Sequence, residues 1–238
     1  MSNNYFHFKQ FTIHHDRCAM KVGTDGVLLG AWASLPPEGD VLDIGTGCGL
    51  IALMIAQRER VLRVTGLDID GDAVLQAREN VEASPFADRV DIRLCSLQQF
   101  SSDEHYTAHF DAIVCNPPFF VESLLPPDLQ RSQARHTTTL PFDELAAASG
   151  RLLRTGGRFS VILPTDCLDD FRRLCFVNKL YPSACCYVQT TSRKTPKRVM
   201  ATFLKDAHEE TTVTQLTLME NGKRSAAYSR LTRDFYLQ

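Results

Sequence analysis

The sequence predicts a single α/β domain built on a doubly wound, mostly parallel sheet of seven strands, with an antiparallel strand pair at the C-terminal edge. Three observations support this fold class. Apolar runs of strand length alternate with helix-like segments from about residue 40, the connections are short, and no helix separates the last two apolar runs. Alternating strands and helices form right-handed βαβ units, whereas strands that follow each other directly usually pair antiparallel.

The predicted elements follow one another along the chain. Strands are expected where short apolar runs end at glycine, proline or polar residues, at 40–45, 62–70, 89–95, 110–115, 157–164, 185–190 and 198–204. Helices are expected where apolar residues recur at helical spacing, at 49–59, 71–84, 141–153 and 166–178. The domain then divides into an N-terminal addition (1–39), a core (40–206) and a C-terminal extension (207–238).

The composition argues against several classes of protein. Hydrophobic residues make up 44% of the 238 residues and charged residues 23%, which is ordinary for a globular domain. No apolar run approaches the roughly 18 residues of a membrane span, and the first ten residues lack the features of a signal peptide. The eight cysteines form no C-x-x-C pair, so we expect reduced thiols in a cytoplasmic protein, without a disulfide framework or a metal site.

The two halves of the chain differ in charge. Residues 1–130 carry 9 basic and 18 acidic side chains, a net charge of −9, whereas residues 131–238 carry 17 and 10, a net charge of +7. This asymmetry suggests that the second half provides a surface for an anionic partner. The alternative is that the charges of the two halves interleave over a solvated surface.

A glycine-rich turn follows the first core strand, in "VLDIGTGCGLIAL" (41–53). Gly45 and Gly47 permit positive φ and leave no side chain between the backbone and a ligand, and the next helix offers unpaired N–H groups. The spacing differs from that of a pyrophosphate-binding loop, and Asp43 would repel a pyrophosphate. This carboxylate suits a cofactor that carries an ammonium and a sulfonium. The pattern therefore favours S-adenosylmethionine over a nicotinamide cofactor or a plain tight turn.

Two more polar residues are candidate cofactor contacts. Asp68 ends the next strand, where a carboxylate can accept hydrogen bonds from both hydroxyls of a ribose; Asp70 is the alternative, although alternation along the strand favours Asp68. Ser96 ends the third core strand, where enzymes that hold this cofactor often have an acidic residue for the adenine amine. We expect the serine hydroxyl or a backbone N–H to substitute.

The stretch "IVCNPPFF" (113–120) follows the fourth core strand, at the edge where doubly wound sheets bind ligands. Asn116 offers an acceptor oxygen, and the carbonyl of Pro117 has no competing donor beside it, because Pro118 also lacks an N–H. Two rigid acceptors suit an aromatic amine, whose lone pair they would localise during methyl transfer. Phe119 would stack on the base, and Asn116 is assigned to the cofactor site as well. A Pro-Pro turn beside core phenylalanines is the structural alternative.

This motif resembles the signature of amino-methyltransferases, which act on adenine in nucleic acids or on a glutamine amide in release factors. With the stretches 8–33, 134–164 and 231–237, the chain is similar to the bacterial tRNA1(Val) (adenine(37)-N6)-methyltransferase family over nearly its whole length. The resemblance implies a Rossmann-like class I methyltransferase fold and S-adenosylmethionine as the cofactor. It also implies methylation of the 6-amino group of adenine 37, beside the anticodon of a valine tRNA.

The resemblance further implies that the N-terminal addition helps to close the cofactor site, through Lys21, Gly23, Thr24, Asp25 and Gly26. The Gly-Thr-Asp-Gly run predicts a turn whose threonine and aspartate side chains can bond the backbone or a bound amine. An ordinary capping turn for the following helix is the alternative.

Basic residues cluster in three stretches of the second half, at 131–136, 190–198 and 221–233. The second stretch contains no acidic residue and connects the last two predicted strands near the ligand-binding edge. The residues assigned to phosphate contacts are Arg131, Arg135, Arg193, Lys194, Lys197 and Arg198. For each stretch a solvated surface is the alternative, and His136 suits a structural role at least as well as a pH-active one.

The sequence leaves two other functions open. A glutamine amide methyltransferase would use the same Asn-Pro-Pro chemistry without needing the basic half, so its binding to a substrate would be insensitive to salt. A non-catalytic RNA-binding protein with a disused cofactor loop would not bind S-adenosylmethionine.

Overall fold

The computed structural model describes residues 3–18, 20–59, 62–118 and 140–237. The strands are β1 (Tyr5–His7), β2 (Thr12–His14), β3 (Gly39–Ile44), β4 (Leu62–Asp68), β5 (Val90–Leu94), β6 (Phe110–Cys115), β7 (Leu153–Pro164), β8 (Leu180–Gln189), β9 (Arg198–Lys205), β10 (Thr212–Thr217), β11 (Met219–Glu220) and β12 (Lys223–Arg224). The helices are α1 (Thr24–Trp32), α2 (Leu50–Arg58), α3 (Gly71–Glu82), α4 (Leu97–Ser102), α5 (Phe142–Leu152), α6 (Leu168–Val177) and α7 (Ala226–Thr232). Every strand and helix predicted between residues 40 and 204 is present.

The central sheet has the strand order β10-β8-β9-β7-β6-β3-β4-β5. β9 is antiparallel to both of its neighbours, β7 and β8, and all other neighbouring strands are parallel. The prediction of a mostly parallel, doubly wound sheet with an antiparallel C-terminal pair is therefore confirmed.

The predicted count of seven strands is wrong for this sheet, because β10 adds an eighth. β10 pairs parallel with β8, with Thr212 opposite Ala184 and Thr217 opposite Gln189. Four of its six residues are exposed, and only Leu216 is buried. An edge strand of this kind has no apolar run, so its sequence lacked the signal that identified the buried strands.

The core consists of two apolar layers, one on each face of the sheet. One layer packs α1, α2 and α3 against the sheet, and the other packs α4, α5 and α6. Neighbouring strand residues point to opposite layers: Val41 and Val114 to the first, Leu42 and Ile113 to the second. This double burial explains the near-continuous apolar runs of the central strands. Among the helices within the described ranges, none combines the length and apolarity that crossing a bilayer requires.

The N-terminal addition packs against the core and forms hydrogen bonds with the C-terminal end of the chain. β1 and β2 form a hairpin, Phe8 pairs with Tyr236, and the Lys9 N–H donates to the Phe235 carbonyl at 2.8 Å. Asn80 on α3 donates to the His14 carbonyl at 2.8 Å. These bonds, with one from Asn80 to the Cys48 carbonyl at 2.9 Å, fix the addition beside α3 and the glycine-rich loop that precedes α2.

The helix α1 begins within the Gly-Thr-Asp-Gly run rather than after it. Thr24, Asp25 and Gly26 belong to its first turn, and Gly23 is its N-cap without a side-chain bond. The prediction that the whole Gly-Thr-Asp-Gly run forms a turn is therefore wrong. Residues that disfavour helices in isolation are held helical here, because α1 packs closely on α2.

Close packing of α5 against the end of α6 generates a test of this fold. A Cβ on Gly150 would lie 2.7 Å from the backbone carbonyl oxygen of Asn178. Because that oxygen belongs to the backbone and cannot swing away, we expect Gly150→Ala to lower the free energy of unfolding by about 1–3 kcal/mol, measured by urea denaturation.

The matched control is Gly71→Ala, at the first position of α3, where an added Cβ meets nothing within 4 Å. This control should leave the free energy of unfolding unchanged or raise it by up to about 1 kcal/mol. Equal losses in the two variants would contradict the packing described for α5.

Candidate active site

Three neighbouring parallel strands bring the candidate residues to one edge of the sheet. In the strand register, Ile44 of β3 lies opposite Leu67 of β4 and opposite Cys115 of β6. The next residues along these strands are Gly45, Asp68 and Asn116. They therefore lie side by side, with the roughly 4.8 Å spacing of neighbouring strands.

The glycine loop after β3 has the backbone conformation that its sequence predicts. Gly45, Gly47 and Gly49 have φ angles of 70°, 53° and 82°, in the left-handed region that favours glycine. A Cβ on Gly45 or Gly47 would meet nothing within 4 Å, so both backbones border open space. A Cβ on Gly49 would lie 3.4 Å from the Ala77 side chain, which indicates that this third glycine serves the packing of α2 on α3.

Asp43 lies buried beneath this loop. One carboxylate oxygen accepts hydrogen bonds from the Thr46 hydroxyl at 2.7 Å and from the Ala52 N–H at 3.1 Å. The other oxygen, Oδ1, has no hydrogen-bond partner among the described residues. Burial, with a smaller contribution from the charge of Asp68, raises the pKa of the Asp43 carboxyl to about 7. A cation beside Oδ1 would stabilise the ionised carboxylate.

Asp68 bonds the glycine loop to the end of β4. Its carboxylate accepts hydrogen bonds from the Gly47 N–H at 2.8 Å and from the Asp70 N–H at 3.0 Å. Asp70 instead caps α3, accepting from the N–H groups of Asp72 and Ala73. Asp68 thus lies against the glycine loop, while the carboxylate of Asp70 is committed to a helix N-terminus.

Ser96 and the Asn-Pro-Pro turn border the same space. The Ser96 hydroxyl accepts from the Gln99 N–H at 3.2 Å and caps α4. Pro117 is buried after β6, whereas Asn116 and Pro118 are half-buried. A Cβ on Gly26 would lie 3.9 Å from Nδ2 of Asn116, so the first turn of α1 lies beside the turn.

These loops enclose a cleft of about 320 Å³ at the carboxyl edge of the sheet. The predicted site residues that line it are Gly45, Gly47, Asp68, Ser96, Asn116, Pro117 and Pro118. Phe119, Arg131 and Arg135 lie outside the described residues.

The other predicted residues do not line the cleft, and Arg193, Lys194 and Lys197 are exposed on the loop between β8 and β9. Asp43 is beneath the loop, and Lys21 and Thr24 are exposed. Asp25 accepts a hydrogen bond from the Arg198 Nε at 2.8 Å, which joins α1 to the start of β9. Arg198 was predicted as an RNA contact, and its guanidinium forms this ion pair in the protein.

The sequence did not identify several residues that line the cleft: Cys18, Met20, Ile69, Cys95, Leu97 and Leu140. They belong to no motif, and their positions depend on how distant segments pack. Cys18 comes from the N-terminal addition and lies against Cys48 of the glycine loop. Interaction with Cys48 raises the pKa of the Cys18 thiol.

The cleft suits a ligand with both a cation and a nucleoside. The carboxylates of Asp68 and Asp70 line the cleft, Asp43 lies buried beneath the loop with one oxygen unbonded among the described residues, and the open backbone at Gly45 and Gly47 allows close approach of a ligand. A carboxylate at the end of β4 can bind ribose hydroxyls. S-adenosylmethionine has these features, so the residues present fit this cofactor.

Comparison with known proteins agrees with this chemistry. The family model described as "Methyltransferase small domain" matches residues 22–166. A solved structure titled as a "predicted O-methyltransferase" from Agrobacterium tumefaciens has a TM-score of 0.71 at 16% identity, covering 89% of this chain and 96% of that one. A geranyl diphosphate methyltransferase in complex with SAM has a TM-score of 0.52 at 15% identity, covering 75% and 82%. The chain is an S-adenosylmethionine-dependent methyltransferase with the class I fold.

Curated relatives of similar length indicate which family of methyltransferases the chain belongs to. A relative from Phocaeicola vulgatus is 48% identical over 238 residues, which cover 100% of this chain and 99% of the relative. Another, from Bacteroides fragilis, is 44% identical over 241 residues and covers 100% of both chains. Both are named tRNA1(Val) (adenine(37)-N6)-methyltransferase, and this chain belongs to their family.

The raised pKa of Asp43 generates a prediction about cofactor binding. If the ionised carboxylate holds the ammonium of S-adenosylmethionine, protonation of Asp43 competes with binding. We therefore expect the dissociation constant to rise by roughly eightfold between pH 7.5 and pH 6, measured by calorimetry. Asp43→Asn should bind the cofactor weakly at both pH values and remove most of this dependence.

The same pKa has a consequence for the ligand-free protein. Because the pKa of Asp43 in the folded protein lies above the ordinary value, the folded state binds this proton more tightly than the unfolded chain. The contribution of Asp43 to the free energy of unfolding is therefore present at low pH and is lost as the pH rises through about 7.

A cofactor affinity that stays constant from pH 6 to pH 7.5 in the unmodified protein would contradict the proposed role of Asp43 in cofactor binding.

Proposed function

We propose that the protein transfers a methyl group from S-adenosylmethionine to the exocyclic 6-amino group of adenine 37 in tRNA1(Val). The observation that supports this most directly is that the Asn-Pro-Pro turn and the glycine loop border one cleft on neighbouring strands. The names of the full-length relatives support the choice of tRNA and nucleotide. Action on tRNA also supports a cytoplasmic location.

The turn after β6 offers two acceptors for the target amine. The Asn116 side-chain oxygen and the Pro117 carbonyl can each accept a hydrogen bond from one amine hydrogen. Pro118 contributes no N–H that would compete for the carbonyl, and both prolines restrict the backbone. When bound, the cofactor supplies a methyl group activated by its sulfonium.

These acceptors can change the electronic structure of the amine. The nitrogen lone pair of an exocyclic amine is delocalised into the adenine ring. Acceptors placed out of the ring plane favour a tetrahedral nitrogen, localise the lone pair and stabilise the positive charge that develops on nitrogen. The methylated ammonium is acidic and loses its proton to water, so a strong base is not required.

The remaining roles extend this proposal. Asp43, Gly45, Gly47 and Asp68 hold the cofactor, with Ser96 near its adenine. By resemblance, Lys21, Thr24 and Asp25 assist in closing the cofactor site, although none of them lines the cleft. The proposed RNA contacts are Arg131, Arg135, Arg193, Lys194, Lys197 and Arg198, and Phe119 is proposed to stack on the target base.

We expect Asn116→Ala to lower the rate of methyl transfer at least about 100-fold, because it removes one of two groups that stabilise the transition state. The dissociation constant of S-adenosylmethionine should change less than about threefold. Asn116→Asp keeps an acceptor oxygen and should retain more activity than Asn116→Ala. The measurement is transfer of labelled methyl groups to tRNA under single-turnover conditions.

The substrate is identified by mapping the modified nucleotide after labelled transfer to a pool of unmodified tRNA. The expected product is N6-methyladenine at position 37 of tRNA1(Val). Label at another position, or full activity of Asn116→Ala, would contradict the proposed function.

A further inference from the structure

A second concave surface lies on the same edge of the sheet, away from the cofactor cleft. This groove has a volume of about 550 Å³ and is lined by Thr165, Tyr187, Thr195, Pro196, Val213 and Gln215, among others. The surface contains the ring of Tyr187, threonine and glutamine side chains that can form hydrogen bonds, and one exposed aliphatic residue, Val213. We refer to it as the edge groove.

The sheet itself forms the floor of the edge groove. Tyr187 of β8 lies opposite Gln215 of β10, and Val213 lies opposite Cys185, so all four residues point to one face. Val213 is 62% exposed, which leaves the β10 end of this face open to solvent. Tyr187 is half-buried, and its hydroxyl has no hydrogen-bond partner within the described ranges.

The loop between β8 and β9 forms the rim. The loop is bonded to the short turn that precedes α6, because the Thr165 hydroxyl donates to the Pro196 carbonyl at 3.0 Å. A second bond, from the Lys197 N–H to the Val188 carbonyl at 3.2 Å, fixes its C-terminal end. The rim is therefore held in place while its side chains point outward.

The rim carries a positive charge. Arg193, Lys194 and Lys197 are exposed, and none of them forms a salt bridge with another described residue. One exposed acidic residue, Asp166, follows Thr165. The rim loop itself carries three basic groups and no acidic one, which favours a polyanion, and cations without salt bridges at a rigid rim can bind phosphates without first breaking ion pairs.

The rim of the edge groove is linked to the active site through an ion pair. Arg198 ends the rim loop and pairs with Asp25, which precedes Gly26, the residue beside Asn116. Across the sheet, β8 lies three strands from β6, a distance of about 14 Å at the usual strand spacing. A short run of unstacked nucleotides can span this distance from a target base at Asn116.

We propose that the edge groove binds a second, unpaired nucleotide of the tRNA loop that carries the target adenine. Its base stacks on Tyr187, Gln215 and the threonine hydroxyls bond its edge, and Lys194 and Lys197 contact the flanking phosphates. Single-stranded loops are recognised by stacking on aromatic side chains and by hydrogen bonds to base edges. This inference rests on the proposed function, because it identifies how the substrate of that reaction is held.

The first test removes the ring and keeps the apolar bulk. Tyr187→Leu should raise the dissociation constant for unmodified tRNA1(Val) about fivefold or more at fixed salt, since base stacking on an aromatic side chain is worth about 1 kcal/mol or more. Tyr187→Phe should bind within about twofold of the unmodified protein. Tyr181→Leu, near the opposite end of the same strand, is the matched control and should leave tRNA binding unchanged.

The second test places a charge on an exposed residue, where folding is not at risk. Val213→Glu puts a carboxylate beside the proposed phosphates and should weaken tRNA binding at least as much as Tyr187→Leu. Val177→Glu is the matched control, because Val177 is 79% exposed at the end of α6, on the opposite edge of the sheet. Binding of S-adenosylmethionine, measured in parallel, should be unchanged in all variants.

Cross-linking identifies the occupant directly. Unmodified tRNA1(Val) that contains photoreactive thiouridine should cross-link to peptides that include Tyr187 or residues 213–215. The inference is overturned if the unmodified protein methylates tRNA while Tyr187→Leu and Val213→Glu bind tRNA within about twofold of it. Failure of the unmodified protein to methylate tRNA would instead contradict the proposed function, so the two failures are distinguishable.

Discussion

The buried carboxylate of Asp43 joins the parts of the molecule that form the cofactor side of the cleft. It lies one residue before the end of β3, accepts from the loop through Thr46, and accepts from the first turn of α2 through Ala52. A carboxylate at this depth is costly unless it is compensated, and one of its oxygens has no partner among the described residues. The same group that positions the glycine loop therefore favours binding of a cation. If this carboxylate holds the ammonium of the cofactor, as we propose, stability and cofactor affinity are coupled through its protonation.

Parallel pairing then determines what lies beside this loop. Because Ile44 is opposite both Leu67 and Cys115, the residues that follow, Gly45, Asp68 and Asn116, lie on three adjacent strands. The methyl donor and the target amine must meet within a few ångströms, and this register brings their proposed binding groups to one edge. The strand register sets this arrangement, and the bonds of Asp68 to Gly47 and of Asp43 to Thr46 hold the glycine loop to it.

Much of this arrangement could be predicted from the sequence because it depends on local signals. Positive φ at Gly45 and Gly47 follows from a glycine turn between a strand and a helix, and the rigidity of the Asn-Pro-Pro turn follows from proline chemistry. The buried strands were identified by their apolar runs. Alternation along the strand favoured Asp68 over Asp70; in the structure both line the cleft, Asp68 bonds the glycine loop and Asp70 also caps α3, so the choice of Asp68 stays a prediction.

What the sequence missed depends on tertiary contacts. β10 is a polar edge strand whose pairing with β8 has no periodic signal, and the helical state of Thr24–Gly26 results from packing of α1 on α2. The Arg198–Asp25 ion pair joins residues 173 positions apart, and no local pattern in the sequence predicts it. The edge groove depends on β10, which extends the sheet beside β8. The basic loop between β8 and β9 could be identified from its sequence, but the groove beside it could not, because β10 was not predicted.

The central claim is that Asn116 and Pro117 hold the target amine next to the cofactor loop. The most direct measurement is a crystal structure of the protein with S-adenosylhomocysteine and the anticodon stem-loop of tRNA1(Val). The account predicts that the 6-amino nitrogen of adenine 37 lies within about 2.7–3.2 Å of both the Asn116 side-chain oxygen and the Pro117 carbonyl. An ordered adenine whose amine faces the cofactor from other groups, with Asn116 bonded elsewhere, would contradict it.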